Sequence, residues 1–207
     1  MATEYSEHIE SKDKQPRTAR GLRTKRKLLD AAALEFGEKG FHEASITGIT
    51  QRAGTALGSF YTYFDSKDEL FSALVRDMSA RVKSHAAGAM TEWQNALERE
   101  KQALEAFMTF AREHKEIYRI IDEAEFVDPA SYRAHYEETA ARIYERLQEG
   151  SSAGDLRGGL EEAHAWAIMG MNVFLGLRYG IWSEEKSPGE IAELANSLLA
   201  EGIAKKG

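Results

Sequence analysis

Ser45-Ile46-Thr47-Gly48-Ile49-Thr50-Gln51-Arg52-Ala53-Gly54-Thr55-Ala56-Leu57-Gly58-Ser59-Phe60-Tyr61-Thr62-Tyr63-Phe64 compresses two short helices and a turn into one run of sequence. Ser45 reads as an N-cap, because its hydroxyl can accept a hydrogen bond from a first-turn amide. Gly54 closes that helix, and a second short helix fits residues 56–64. Phe60 and Phe64, four apart, share one side and point back toward Ile49 and Ala53. The opposite arc presents Leu57, Gly58, Ser59, Tyr61, Thr62 and Tyr63, with no acid among them. Upstream, Leu28, Leu29, Ala32 and Phe36 form the apolar stripe of a helix over about 22–39, stopped by Gly40. Downstream, Ser66 and Glu69 form a capping box that starts a further helix. Four helices in so short a span, two of them brief and joined by a glycine turn, make a helix-turn-helix pattern.

The rest of the chain supports a helical protein with one polyanion-facing end. Its 207 residues include no cysteine and three prolines, and its formal net charge is −7. Without cysteine there is no disulfide framework, thiolate nucleophile or cysteine-ligated metal site. The polar, acidic start is unlike a secretory signal, and no apolar run is long enough to span a membrane, so a cytoplasmic location is expected. Charge is unevenly distributed. Residues 14–64 hold nine Lys or Arg against four acids (+5), whereas residues 65–207 hold 17 against 26 (−9). That division suits a protein of which one end meets a polyanion, though a basic tail without a target would give the same tally.

The expected fold is all-α, with about nine helices in total. It divides into a disordered basic and polar tail (1–20), a three-helix helix-turn-helix domain (21–66) and a larger helical domain (67–207). Beyond the helix starting at Ser66, amphipathic patterns predict helices over about 90–114, 115–123, 129–149, 160–183 and 188–205. Asp128-Pro129 and Ser187-Pro188-Gly189-Glu190 supply helix starts, while Gly150 to Gly154 and Gly158-Gly159 read as loops. Catalytic signatures are missing: there is no HExxH, no Walker loop and no G-x-G-x-x-G after a strand. The six histidines lack metal spacing, and His114 with Glu116, or His135 with Glu137, read as exposed charges. No enzyme activity, cofactor or metal is expected.

From KLLDAAALEFGEKGF through SITGITQRAGTALGSFYTYFDSKDELF, the sequence resembles the DNA-binding domain of the TetR family of transcriptional regulators. The resemblance rests on Ala32, Phe36 and Gly40-Phe41; on Ile49 and Ala53-Gly54; on Phe60-Tyr61 and Phe64; and on Lys67 and Leu70. In such a motif the second short helix enters the major groove. The resemblance therefore implies phosphate contacts at Ser45, Tyr61 and Lys67, and base reading at Thr47, Leu57, Gly58, Ser59, Thr62 and Tyr63. Two departures matter. Thr55-Ala56-Leu57 lacks the usual serine cap, so Thr55 is expected to take it over, and Leu57 is expected to touch a thymine methyl. Blander roles stand beside these: Tyr61 or Tyr63 closing the small core, and Lys67 as a solvated first-turn lysine; the segment from Lys14 to Lys27 is a candidate flexible arm that adds phosphate contacts.

The resemblance further implies a homodimer through the last two long helices and a body that encloses an effector. Small and large apolar residues alternate from Ala163 to Trp182, and Ile191, Leu194, Ala195, Leu198, Leu199 and Ile203 form a matching stripe. Trp93, Phe107, Phe110, Tyr118, Phe126, Tyr136, Trp166, Met169 and Asn172 are the candidate ligand contacts. Arg119, Glu123, Glu125, His135 and Arg178 could orient a ligand or form salt bridges. The stretch EAEFVDPASYRAHYE is similar to regulators that sense acyl-coenzyme A esters. The expectation is a repressor that binds a palindromic double-stranded DNA operator as a dimer and is released by a small apolar or aromatic effector, an acyl-CoA ester being one candidate. The helix from Ser66 to about Arg81 would be its lever. The alternative is a helical protein-interaction module without DNA binding.

Overall fold

The computed structural model describes residues 14, 16–90 and 95–203. Among these the elements are all helical: α1 (Ala19–Glu43), α2 (Ile46–Arg52), α3 (Leu57–Phe60), α4 (Lys67–Ala89), α5 (Ala96–Glu113), α6 (Glu116–Val127), α7 (Pro129–Ala153), α8 (Glu162–Gly176) and α9 (Pro188–Ile203). A π-helical turn, Leu177–Trp182, extends α8.

Local chemistry explains most of the ends. Thr18 accepts from the Gly21 amide, so α1 starts at Ala19 and not at 22. Asn95 caps α5 through the Glu98 amide, which sets its start at Ala96 where 90 was expected. Asp128 closes α6, and its carboxylate accepts from the Ser131 amide to cap α7 ahead of Pro129. The loop expected at Gly150 is instead helix, because α7 runs on to Ala153. Gly150 is buried, and a Cβ there would lie 2.6 Å from that of Ala96. The glycine serves close packing, and the left-handed turn falls at Gly154.

One apolar cluster crosses the boundary expected at residue 66. Phe36 and Phe41 meet Phe71 of α4 edge-on at 5.2 and 5.0 Å. Ile49, Phe60 and Phe64 from the motif join them, as do Ile117, Ile120 and Ile121 of α6. The joint between α1 and α6 is also polar. Arg119 donates to the carbonyls of Gly37 (3.1 Å) and Glu38 (3.0 Å), and Glu123 accepts from the Phe41 amide at 2.6 Å. α1 kinks there at Gly40, whose φ of 80° is open to glycine at little cost. Two further clusters build the body, one between α7 and α8 around Leu147 and Ile168, the other between α5 and α9 around Met108 and Ile191.

Candidate nucleic-acid interface and ligand cavity

The motif forms much as the sequence dictates. Ser45 accepts from the Gly48 amide at 3.0 Å and caps α2. Gly54, at φ 63°, makes the turn, and the Thr55 amide returns to the Thr50 carbonyl at 3.0 Å. The second helix is shorter than expected. Only Leu57–Phe60 is α-helical, and turn hydrogen bonds continue the coil to Phe64. Thr55 does not cap it, because Ala56 occupies the N-cap position. The Thr55 hydroxyl is buried without a partner.

Burial sorts the faces. Phe60 and Phe64 are buried with Ile49, and Ala53 packs on the same cluster. Leu57 and Tyr61 are each 49% exposed, while Thr47, Gly58 and Thr62 are exposed and Ser59 is half-buried. Tyr61 therefore does not close the core. Tyr63 does so in part, being half-buried against it. No carboxylate belongs to α3 or its continuation, and two of the acids near α2 are paired: Arg52 binds Glu38 (2.5 Å) and buried Glu35 (3.2 Å), which Lys39 also holds at 2.6 Å. Burial alone would raise the pKa of Glu35, but these two cations more than offset that and hold it below its ordinary value.

Lys67 departs from both of its expected roles. Its ammonium donates to the carbonyls of Phe41 (2.7 Å), Ala44 (2.9 Å) and His42 (3.2 Å). It also lies 4.5 Å from the centre of the Phe41 ring. It is neither a solvated lysine nor an uncommitted donor for phosphate, since three carbonyls at the end of α1 take its three N–H groups. The basic segment is likewise partly anchored. Lys14 donates to the Tyr61 carbonyl at 3.1 Å and pairs with Asp65, whereas Arg17, Arg20, Arg23 and Lys27 remain exposed.

In the body, α4, α5, α6, α7 and α8 enclose a cavity of about 170 Å³. Phe107, Tyr118, Tyr136, Met169 and Asn172 line it, as the sequence suggested. The other candidates do not. Phe110 is buried beside His114 and His85, outside this cavity. Phe126 is 82% exposed, and the Trp166 indole donates to Glu162 at the surface. Trp93 lies outside the described residues. Arg119 and Glu123 belong to the α1 joint, Glu125 is exposed, and Arg178 lies against Tyr179 and near Glu185. His114 is not a simple exposed charge, for Arg81 reaches it at 2.8 Å.

Missing from the sequence reading were the cations of the lining, Lys83, Arg142 and Arg146. Arg142 and Arg146 fall on the face of α7 that carries His135 and Thr139, a helical spacing visible in the sequence. Arg146 makes a bidentate pair with buried Glu100 at 2.5 and 2.9 Å. His135 faces Ser79 at 2.7 Å, and burial, aided by Arg142, pushes its pKa down to about 4. Burial likewise raises the Tyr118 and Tyr136 phenols, and the Tyr118 hydroxyl donates to the Val173 carbonyl at 2.7 Å.

The expected stripe on α9 splits in two. Ile191, Ala192 and Ala195 pack inward on α5, whereas Leu194 and Leu198 face out, together with Phe174 and Trp182 from α8 and its extension. Among the described residues, no helix is long and apolar enough to cross a membrane, and no group of His, Asp and Glu could hold a metal ion.

An exposed, acid-free second helix on a tight glycine turn, carried by an acidic helical body, defines a helix-turn-helix DNA-binding regulator. Residues 28–74 match the family model for bacterial regulatory proteins of the tetR family. Over 194 residues the chain is 28% identical to the HTH-type transcriptional regulator YdgC of Bacillus subtilis (strain 168), covering 91% of this chain and 97% of that one. A TetR-like transcriptional regulator from Rhodococcus sp. RHA1 superposes with a TM-score of 0.71 at 25% identity, covering 90% of this chain and 98% of that one. The transcriptional regulator FadR from Bacillus subtilis, solved in complex with stearoyl-CoA, superposes with a TM-score of 0.75 at 17% identity over 86% and 98%. The tetR-family DNA-binding model thus covers the helix-turn-helix and its flanking helices, and along most of its length the chain is similar to transcriptional regulators of that kind.

Proposed function

We propose that the protein is a repressor that binds a palindromic operator as a two-fold dimer and is released by a small, mainly apolar effector. The observation that carries the DNA half is the exposed face of Leu57, Gly58, Tyr61 and Thr62, free of carboxylates, on a coil anchored from behind by Phe60 and Phe64. Thr47, Leu57, Gly58, Ser59, Thr62 and Tyr63 read bases, and Ser45 and Tyr61 position the phosphate backbone. Thr55 contributes to the turn, and Lys67 holds α1 against α4. Two copies are needed to fill successive major-groove half-sites, and the outward Phe174, Trp182, Leu194 and Leu198 offer the apolar face that joins them.

The effector reading rests on the enclosed cavity lined by Phe107, Tyr118, Tyr136, Met169 and Asn172. An acyl-CoA ester is the favoured class, in keeping with the stearoyl-CoA bound by the FadR neighbour. A salt-titrated gel shift on a genomic fragment from beside the protein's own gene tests the whole. Binding should be specific, should fall with salt, and should be released by an acyl-CoA. Tyr61→Ala should weaken binding to all sequences alike and leave the salt slope nearly unchanged, because a neutral hydroxyl on a phosphate releases no counterion. Unchanged affinity in that variant would sink the placement, and no specific shift would favour a protein-interaction module.

A further inference from the structure

We propose that the effector is an amphiphilic anion whose negative group is seated against Arg142 and Lys83, with a short apolar portion inside the cavity. This rests on the reading of the cavity as the effector site. The lining is graded. Met169, Ala103, Ile117 and Ile143 are buried, whereas Lys83 and its neighbour along α4, Ala87, are exposed and mark the mouth. The cations there differ in how far they are committed. Arg146 is neutralised by its two short contacts with Glu100. Among the described residues, Arg142, with a quarter of its side chain exposed, donates to the Thr139 hydroxyl at 3.0 Å and pairs only loosely with the exposed carboxylate of Glu138 at 3.8 Å, Glu145 adding a weaker attraction. A half-buried guanidinium with one hydroxyl and no close carboxylate has lost hydration that is only partly returned, so an incoming anion restores part of what burial cost. Among the described residues, the one acid of the lining, Asp122, stands on a third helix, α6, beside Tyr136. His135 is neutral at pH 7 and adds no charge to either side.

Size constrains the apolar part. At about 170 Å³ the cavity is close to one that accepts a benzene ring, so it suits a single ring or a short acyl chain. The negative group could be a free carboxylate or the phosphates of a coenzyme A thioester, which share the same recognition chemistry.

Calorimetric titration of the full chain with octanoate, octanoyl-CoA and 1-octanol separates these. At least one anion should bind about tenfold tighter than 1-octanol, as a charge-assisted contact implies. Octanoate as the tighter anion assigns the cations to a carboxylate, and octanoyl-CoA as the tighter anion assigns them to phosphate. In a Lys83→Gln, Arg142→Gln variant the preference over 1-octanol should vanish while 1-octanol binding persists, and Arg142→Lys should retain it. If 1-octanol matches both anions, or if the preference survives in the double variant, the anion assignment falls and the effector cavity stands. If none of the three binds while DNA still shifts, the effector reading of the cavity falls with it.

Discussion

Replacing Lys67 with alanine distinguishes a strut from a phosphate contact. The ammonium holds three carbonyls at the end of α1 and lies over Phe41, so truncation removes several bonds to a charged donor and one cation–π contact. A hydrogen bond to a charged group contributes about 1.5–3 kcal/mol, and an exposed cation–π contact about 0.5–1. The three carbonyls share one ammonium, and water can reach the His42 carbonyl, so the contributions do not simply add. A net loss of about 2–4 kcal/mol follows. For a chain of this size each kcal/mol lowers Tm by about 2–4 °C, which gives a fall of about 4–16 °C. Thermal melts followed by circular dichroism measure it, alongside a salt-titrated gel shift below the transition. A strut predicts a lowered Tm and a salt slope close to that of the parent. An unchanged Tm with a slope reduced by about 0.9 would mean that Lys67 contacts phosphate, and the role assigned to it here would be wrong.

Gly40→Ala should be destabilising by about 2–5 kcal/mol, because an L side chain resists φ 80° and its Cβ would lie 2.5 Å from Glu123 and 2.6 Å from Arg119; urea titration checks this. His135 titrates near 4 when folded and near 6.5 otherwise, so between those values the unfolded chain takes up the proton. Stability should therefore fall as pH drops from 6.5 toward 4, by up to about 3 kcal/mol from this group, and His135→Gln should flatten that window in a pH series of melts. Leu198→Glu, at a position 65% exposed on the outer face of α9, should leave the fold intact and shift sedimentation toward monomer, with loss of operator binding.

The motif was legible because its signals are local. Ser45, Ser66 and Asp128 each cap a helix by bonding an amide three residues on, so a short window contains both partners. Ser187 and Glu190 do the same reciprocally at the start of α9. What escaped depends on distant neighbours. Lys67 reads as a surface lysine until Phe41, His42 and Ala44 are brought to it across more than twenty residues of chain. Gly150 looks like a loop residue until α5 is seen to start against it. The aromatic count pointed to a cavity in the body, and Phe107, Tyr118 and Tyr136 line the one that forms, whereas Phe110, Phe126 and Trp166 do not and the cations of the lining went unread. Phe126 and Arg142 differ in hydrophobicity in the direction opposite to their placement, since helix crossing and not residue type decides which side faces inward.

α6 shows how an effector could reach the DNA end without a hinge. Ile117, Tyr118 and Ile121 line the cavity, while Arg119 and Glu123, offset around the same twelve-residue helix, hold the carbonyls and amide at the end of α1. A helix this short moves as a rigid body, so a ligand that displaces Tyr118 also displaces the clamp on α1. α1 in turn supplies Phe36 and Phe41 to the core on which α2 and α3 rest. α4 gives a second route, since Val82 and Ala86 face the cavity at one end while Ser66 and Lys67 join the motif at the other. A ligand can bias the operator-bound spacing only by the difference in its affinity for the two arrangements, and the operator must weaken the ligand by the same factor. Cutting one route should thus halve neither affinity. Glu123→Gln, which leaves the cavity lining and the exposed face of α3 in place, should preserve DNA binding and effector binding measured separately while reducing the factor by which each weakens the other.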